Sequence, residues 1–266
     1  MLRFFYLLAI AGWLFAARVV LAPWVDMLQL LDNAPILYLP NSPLVMFAAL
    51  WLGGNGLARL TYTPHIRSAL GGGVMVCLAL VPVAAMMSVL QRASFGVLVL
   101  GLVLFTAGVL VRAPGRLWRV TAILGGAAML LEPIIHDVYM LLLAKTREVG
   151  LNMRMAEAWT ILQHSATTPF TPVFGHGWGA TYISPAVGDE PVGYTHSLMT
   201  FLLFKTGIVG LVLGGSYITA LLLNCTAWLR QWPVLAYSLS MPVLVHSVLY
   251  ANHKSFGFAM LLVGLA

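Results

Sequence analysis

The stretch FGVLVLGLVLFTAGVLV, residues 95–111, carries no charge, shows no alternation of polar and apolar positions, and ends against Arg112. A bilayer core takes about 20 residues of helix. Lipid offers no water to the backbone, so only helices and closed barrels can cross it. The missing two-residue alternation excludes a barrel strand. Comparable apolar runs lie near 4–22, 44–58, 69–90, 120–135, 197–223, 233–250 and 256–266, of which 44–58 and 256–266 are short. The expectation is an all-α, polytopic transmembrane bundle of about eight spans, one membrane domain over residues 1–266.

Against a chain that is 61% hydrophobic and only 8% charged, every charge near lipid needs a reason. If the runs cross in turn, one side collects Arg3, Arg59, Arg67, Arg112, Arg116, Arg119 and Arg230. The other holds Arg92, Lys145, Arg147, Arg154 and Lys254, with all eight acids: Asp26, Asp32, Glu132, Asp137, Glu148, Glu157, Asp189 and Glu190. Lys and Arg of short loops stay in the cytoplasm, which places the arginine-rich side there. The formal charge of +6 then reads as topology and contact with anionic membrane lipid, with no nucleic-acid partner. Cys77 and Cys225 fall at depths that do not favour a disulfide.

One long segment lies outside the runs, about 136–196 on the outer side, and loops of that length are functional or disordered. Leu151, Met155, Ala158 and Leu162 recur at helical spacing, with Asn152, Glu157, Thr160 and Gln163 on other faces. That pattern predicts an amphipathic helix lying against the bundle or the membrane interface, ended by Pro169 and Pro172. Next, Phe174-Gly175-His176-Gly177-Trp178-Gly179 reads either as a tight turn or as a nest of backbone N–H groups for a phosphate or sugar. Ser184–Tyr194, with two prolines and two glycines, reads as a solvated, mobile rim. No metal-ligand spacing emerges from the histidines His65, His136, His164, His176, His196, His246 and His253, so neither a metal nor a cofactor is expected.

Three residues could carry chemistry. Arg92, in a short polar hinge, either snorkels to headgroups or binds an anion. Arg154 either pairs with Glu157 three residues on or holds an anion itself. His196, at the start of an apolar helix, is a satisfied interfacial histidine or a proton acceptor for a hydroxyl nucleophile. Lys205 lies roughly 13 Å further along if that helix is continuous, and either assists substrate binding or has a structural partner. Gly207, Gly210 and Gly214 place small residues along the same helix, favouring close helix contact.

In order and spacing, Gln91-Arg92-Ala93-Ser94, Arg154 with Trp159, Pro172–Gly179, His196-Ser197-Leu198 and Lys205–Leu211 resemble the O-antigen ligase family of membrane glycosyltransferases, over about 91–223. That family includes relatives acting as O-antigen polymerases and protein O-oligosaccharyltransferases. The resemblance implies metal-independent, inverting transfer of a glycan from an undecaprenyl-diphosphate carrier to lipid A–core, or another hydroxyl acceptor, at the periplasmic face of a bacterial inner membrane. It implies His196 as base and Arg92 and Arg154 as diphosphate ligands, with His176, Gly177, Tyr194 and Lys205 as candidate substrate contacts. Ser197 stands where the family often has asparagine, and Lys205 where an acid is frequent. Relatives also have more spans, which implies a chain shortened at its amino-terminal side. From another class, a transporter or lipid-binding membrane protein could line a cavity with the same cations.

Overall fold

The computed structural model describes residues 2–25, 36–149, 153–250 and 254–266. Asp26, Asp32, Leu151, Asn152 and His253, each named above, lie outside the described residues. The helices are α1 (Leu2–Val25), α2 (Pro43–Tyr62), α3 (Ile66–Ser88), α4 (Arg92–Arg112), α5 (Leu117–Val149), α6 (Met153–Ser165), α7 (Thr171–Phe174), α8 (Leu198–Trp228), α9 (Pro233–Val248) and α10 (Phe256–Leu265). Strands β1 (Tyr182–Ser184) and β2 (Glu190–Val192) make a short hairpin.

Helix accounts for 82% of the structure, which is that of an all-α membrane protein. Among the described residues five helices are long and apolar enough to cross a bilayer: Leu2–Ala22 within α1, then α2, α3, α4 and α8. Their outward faces are greasy: Leu70 and Val74 on α3 and Val99 and Val103 on α4 are all exposed, an arrangement water would penalise and lipid accepts. The expected runs at 233–250 and 256–266 are helices of 16 and 10 residues, below the usual spanning length. The run at 120–135 is the start of the 33-residue α5, which continues through residues assigned above to the outer loop. α5 thus takes up residues 136–149 of the segment expected at 136–196.

The chain divides into two compact units, Met1–Leu142 with Trp228–Pro242, and Leu143–Ala227 with Val243–Ala266. In the first, α2 is the buried element: every residue from Leu44 to Trp51 is covered. Its neighbours approach at glycines. A side chain on Gly12 would strike the Leu44 carbonyl, and Gly56 of α2 and Gly72 of α3 each leave room for the other's backbone oxygen. Such small-residue crossings replace the hydrophobic effect, which does not act between helices in lipid. The turn into α4 is fixed by polar bonds: the Gln91 amide donates to the Pro40 carbonyl (2.8 Å) and to Asn41 Oδ1 (2.7 Å), and Ser94 donates to Gln91 Oε1 (2.6 Å).

The second unit is organised by a break in α8. Gly207 adopts φ 66°, ψ −162°, and Gly175, just after α7, adopts φ 74°, ψ −172°. Both lie in a region that is essentially glycine-only. The two backbones cross there, and a side chain on either glycine would overlap the other strand of chain. The break frees carbonyls that a continuous helix would have used, and the loop supplies their donors: His176 N–H bonds Phe204 O (2.8 Å) and Gly177 N–H bonds Lys205 O (3.0 Å). Gly207 is thus no member of a packing stripe. A side chain on Gly210 would strike Thr206, and one on Gly214 would strike Leu202, so both glycines leave room for the piece of α8 that precedes the break. The stretch from Ile208 to Trp228 is by itself long enough for a crossing of about 20 residues.

Replacing glycine by alanine should therefore grade the loop. Gly175→Ala and Gly207→Ala, facing backbone, should each cost roughly 4 kcal/mol or more; Gly177→Ala, with φ 84° and open space, about 1–2 kcal/mol. Gly179→Ala, with ordinary φ and open space, should be close to neutral. Thermal unfolding of the four variants in detergent checks the order, and equal losses at all four positions would refute the crossing.

Candidate functional site

A carboxylate lies at the centre of the second unit. Glu157, midway along α6, is only 2% exposed, and an ionised buried carboxylate is stable only if its lone pairs are filled. Three pieces of chain fill them. The Tyr182 hydroxyl is 2.6 Å from Oε1, the Ser184 hydroxyl 3.2 Å from the same atom, and the His196 backbone N–H donates to Oε2 at 3.1 Å. His196 Nδ1 lies 3.1 Å from both oxygens.

The hairpin explains two of these donors. With side chains alternating along β1, Tyr182 and Ser184 face inward to Glu157 while Ile183 between them is exposed. Tyr182 pairs with Val192, and the turn at Gly188-Asp189 has positive φ at both residues. Tyr182 also packs with Ile161 and Phe204, tying the strand to α6 and α8. Of the segment expected to be a solvated rim, residues 188–191 are exposed, while Ser184 at its start turns in to the carboxylate. The alternation in Tyr182-Ile183-Ser184 and the Gly188-Asp189 pair were the available signal, but two three-residue strands are too short to stand out in a helical chain.

Charge follows from this geometry. Burial alone pushes the Glu157 carboxyl up, but hydrogen bonds from His196 and Tyr182 and the attraction of the imidazole outweigh it, holding the group below its ordinary value. Burial, and then the bond to Glu157, raise the Tyr182 hydroxyl, which stays protonated and keeps donating. An ionised carboxylate only accepts, so Nδ1 of His196 must carry the hydrogen between them. In the neutral ring the lone pair is then on Nε2, for which no partner appears among the described residues. The His196 side chain is 30% exposed. Glu157 thus fixes tautomer and orientation and points a basic nitrogen outward, the arrangement general-base chemistry needs.

The expected Arg154–Glu157 pair is not formed, because the carboxylate is committed to His196. Arg154, exposed on α6 one turn before Glu157, places its guanidinium over the Tyr250 ring at 5.4 Å. The apolar face of α6 also turns the other way from a bundle-facing helix: Glu157, Ile161 and Ser165 are buried, while Met155, Trp159 and Leu162 line a shallow apolar surface groove. Arg92 opens α4 in the first unit. Tyr194 is in edge contact with His196, ring centres 6.1 Å apart.

His176, Gly177 and Lys205 assemble at the helix break. The N–H groups of Gly175, His176 and Gly177 all bond backbone carbonyls, so these three are committed within the fold. Lys205 is 3% exposed and donates to the carbonyls of Trp178 (2.9 Å) and Ala180 (2.5 Å), which gives it a structural partner in the loop. His176 Nε2 is 3.0 Å from the His164 carbonyl, and its ring sits 5.2 Å from Phe204. Among the described residues no group of three or more His, Cys, Asp or Glu side chains is placed to hold a metal.

Comparison with protein-family models, curated proteins and solved structures finds no match for this chain.

The Glu157 carboxyl binds its proton less readily in the folded chain than in the unfolded one, so the stability it contributes is present above the unfolded carboxyl range, near pH 4.3. It is lost as pH falls through the folded value. Glu157→Gln should destabilise the chain by about 2 kcal/mol at neutral pH and flatten this acid limb. Melting temperatures between pH 3 and 7 check both, and an unchanged acid limb would show the carboxylate to be unpaired.

Proposed function

We propose that the chain is a membrane glycosyltransferase of the O-antigen ligase kind, transferring a glycan from an undecaprenyl-diphosphate carrier to a hydroxyl acceptor, lipid A–core first among them. The observation that carries this reading is the buried Glu157 presenting His196 with its basic nitrogen outward. The motif order over 91–223 supplies the reaction, and the membrane helices supply a setting for a lipid-linked donor.

In the proposed reaction Nε2 of His196 takes the proton of the acceptor hydroxyl as its oxygen attacks the anomeric carbon. The bond from that carbon to the diphosphate oxygen breaks, and the carrier diphosphate leaves with the electron pair. Attack opposite the leaving group inverts the centre. Glu157 stabilises the imidazolium that forms. Arg154 offers a planar fork that stays charged and binds phosphate oxygens as negative charge develops. Arg92 is given the same role by the resemblance alone. His176, Gly177 and Lys205 act through the loop they build, and Tyr194 borders the base. No step calls for a metal.

The same reading has α5, α9 and α10 join the five long helices as spans, about eight in all, with the arginine-rich ends in the cytoplasm. The base then faces the periplasm from a bacterial inner membrane, with α6 lying along the interface, apolar face to lipid. An O-antigen polymerase or a protein O-oligosaccharyltransferase would use the same base with a sugar or a protein hydroxyl as acceptor.

Reconstitution with undecaprenyl-diphosphate glycan and each acceptor in turn decides the reading. His196→Ala should lower transfer by roughly 10²-fold or more. Glu157→Gln should do nearly the same, because an amide N–H facing Nδ1 puts the ring proton on Nε2, where no base is left. Arg154→Ala should raise the donor requirement as well as slow transfer. Full transfer by His196→Ala, or solute flux without transfer in the native chain, overturns the proposal.

A further inference from the structure

Lys254 stands just before α10. In the folded chain its ammonium stands 4.5 Å from the centre of the Phe201 ring and 6.0 Å from that of Tyr194. Tyr194 is the same ring whose edge meets His196. One aromatic side chain therefore separates a lysine ammonium from the imidazole that Glu157 orients. Two rings from different parts of the chain hold the ammonium, each attracting it through its negative face.

Lys254 and Lys205 repel one another, and Lys205 is buried with only neutral carbonyls as partners. Among the described residues the one ion pair is Glu157 with His196, and none of their carboxylates pairs with Lys254. Arg154, on α6, adds a further cation with an aromatic partner and no ion pair among the described residues. An exposed ammonium fixed on aromatic rings, repelled by a buried lysine and with no carboxylate partner among the described residues, is built to meet an anion from outside.

We infer that Lys254 is an anion-binding residue of this site and takes a phosphate oxygen of the lipid-linked donor's diphosphate, next to the base. This rests on the transfer reading for the donor's identity, but the anion site itself does not. Arginine at the same position should serve, since it stays charged and also stacks on aromatic rings.

The test uses the full chain in nanodiscs of zwitterionic lipid, titrated with inorganic diphosphate, for the native protein, Lys254→Gln, Lys254→Arg and His196→Ala. Lys254→Gln should weaken diphosphate at least tenfold, while Lys254→Arg stays within about threefold of native, as expected for a charge-assisted bond. His196→Ala should bind as the native chain does. Lys254 is exposed, so melting temperatures should match. Equal diphosphate affinity of Lys254→Gln and native protein overturns the inference. So does loss of the Lys254-dependent binding when phosphatidylglycerol is added, which would make a lipid headgroup the occupant. Transfer assays on the same variants separate the two ideas. Lys254-dependent diphosphate binding in a native chain that transfers nothing keeps the anion site and removes the reaction. Transfer that needs His196 but is indifferent to Lys254→Gln at limiting donor keeps the reaction and removes Lys254 from it.

Discussion

A carboxylate taken out of water must be surrounded by donors or give up its charge, and in the second unit that requirement organises everything near His196. Glu157 sits on a helix, Tyr182 and Ser184 on a strand, and His196 at the approach to α8, so its oxygens are reached only when all three pieces are in place. Desolvating an ion costs several kcal/mol, and charge-assisted hydrogen bonds return about 1.5–3 kcal/mol each. With a phenol, a hydroxyl, a backbone N–H and an imidazole N–H all donating, the bonds win and the group stays ionised. Removing one donor would shift that balance, so the hairpin and the base are linked through one carboxylate.

The helix break at Gly207 serves the same end from the other side. Had α8 run straight from Leu198, the carbonyls of Phe204 and Lys205 would have been spent within it, and the loop from Thr171 to Ala180 would lose its backbone bonds to α8. The glycine-only angles at Gly175 and Gly207 let two backbones cross at contact distance, and Lys205 then closes the loop by bonding two of its carbonyls. A buried lysine in an apolar helix, for which the sequence left substrate and structural partner both open, thus finds its partners in main-chain oxygen.

The membrane class was legible because it rests on composition and run length, which need no tertiary information: the uncharged stretch at 95–111 alone fixes a helix in lipid. The span count was harder, since 120–135 is one end of a longer helix and the two C-terminal runs fold as short ones. At the site, His196 was legible as a polar residue opening an apolar helix, while its partner was not. Spacing offers Glu157 to Arg154, a local partner three residues away, and says nothing of His196, thirty-nine residues on, which actually takes it. Long-range pairing of this sort leaves no periodic trace. The outward apolar face of α6 was likewise visible as a stripe, but whether a stripe packs inward or meets lipid depends on which neighbour claims the opposite face. Here the buried carboxylate claims it.

The joint use of Glu157 also decides how substitutions at the site must be read. Its removal takes away the acceptor of Tyr182, Ser184 and two groups of His196 at once, leaving several donors unsatisfied in a buried place, and each can cost about 1–3 kcal/mol. Loss of function in a Glu157 variant therefore mixes a disordered wall with a misdirected imidazole. His196→Ala is the cleaner cut. It removes the ring but keeps the backbone N–H on Oε2, and Tyr182 and Ser184 still satisfy Oε1. The carboxylate stays solvated by protein, the hairpin keeps its anchor, and what disappears is the outward nitrogen. For this constellation the base can be separated from the scaffold that aims it, but the carboxylate that aims it is part of the scaffold.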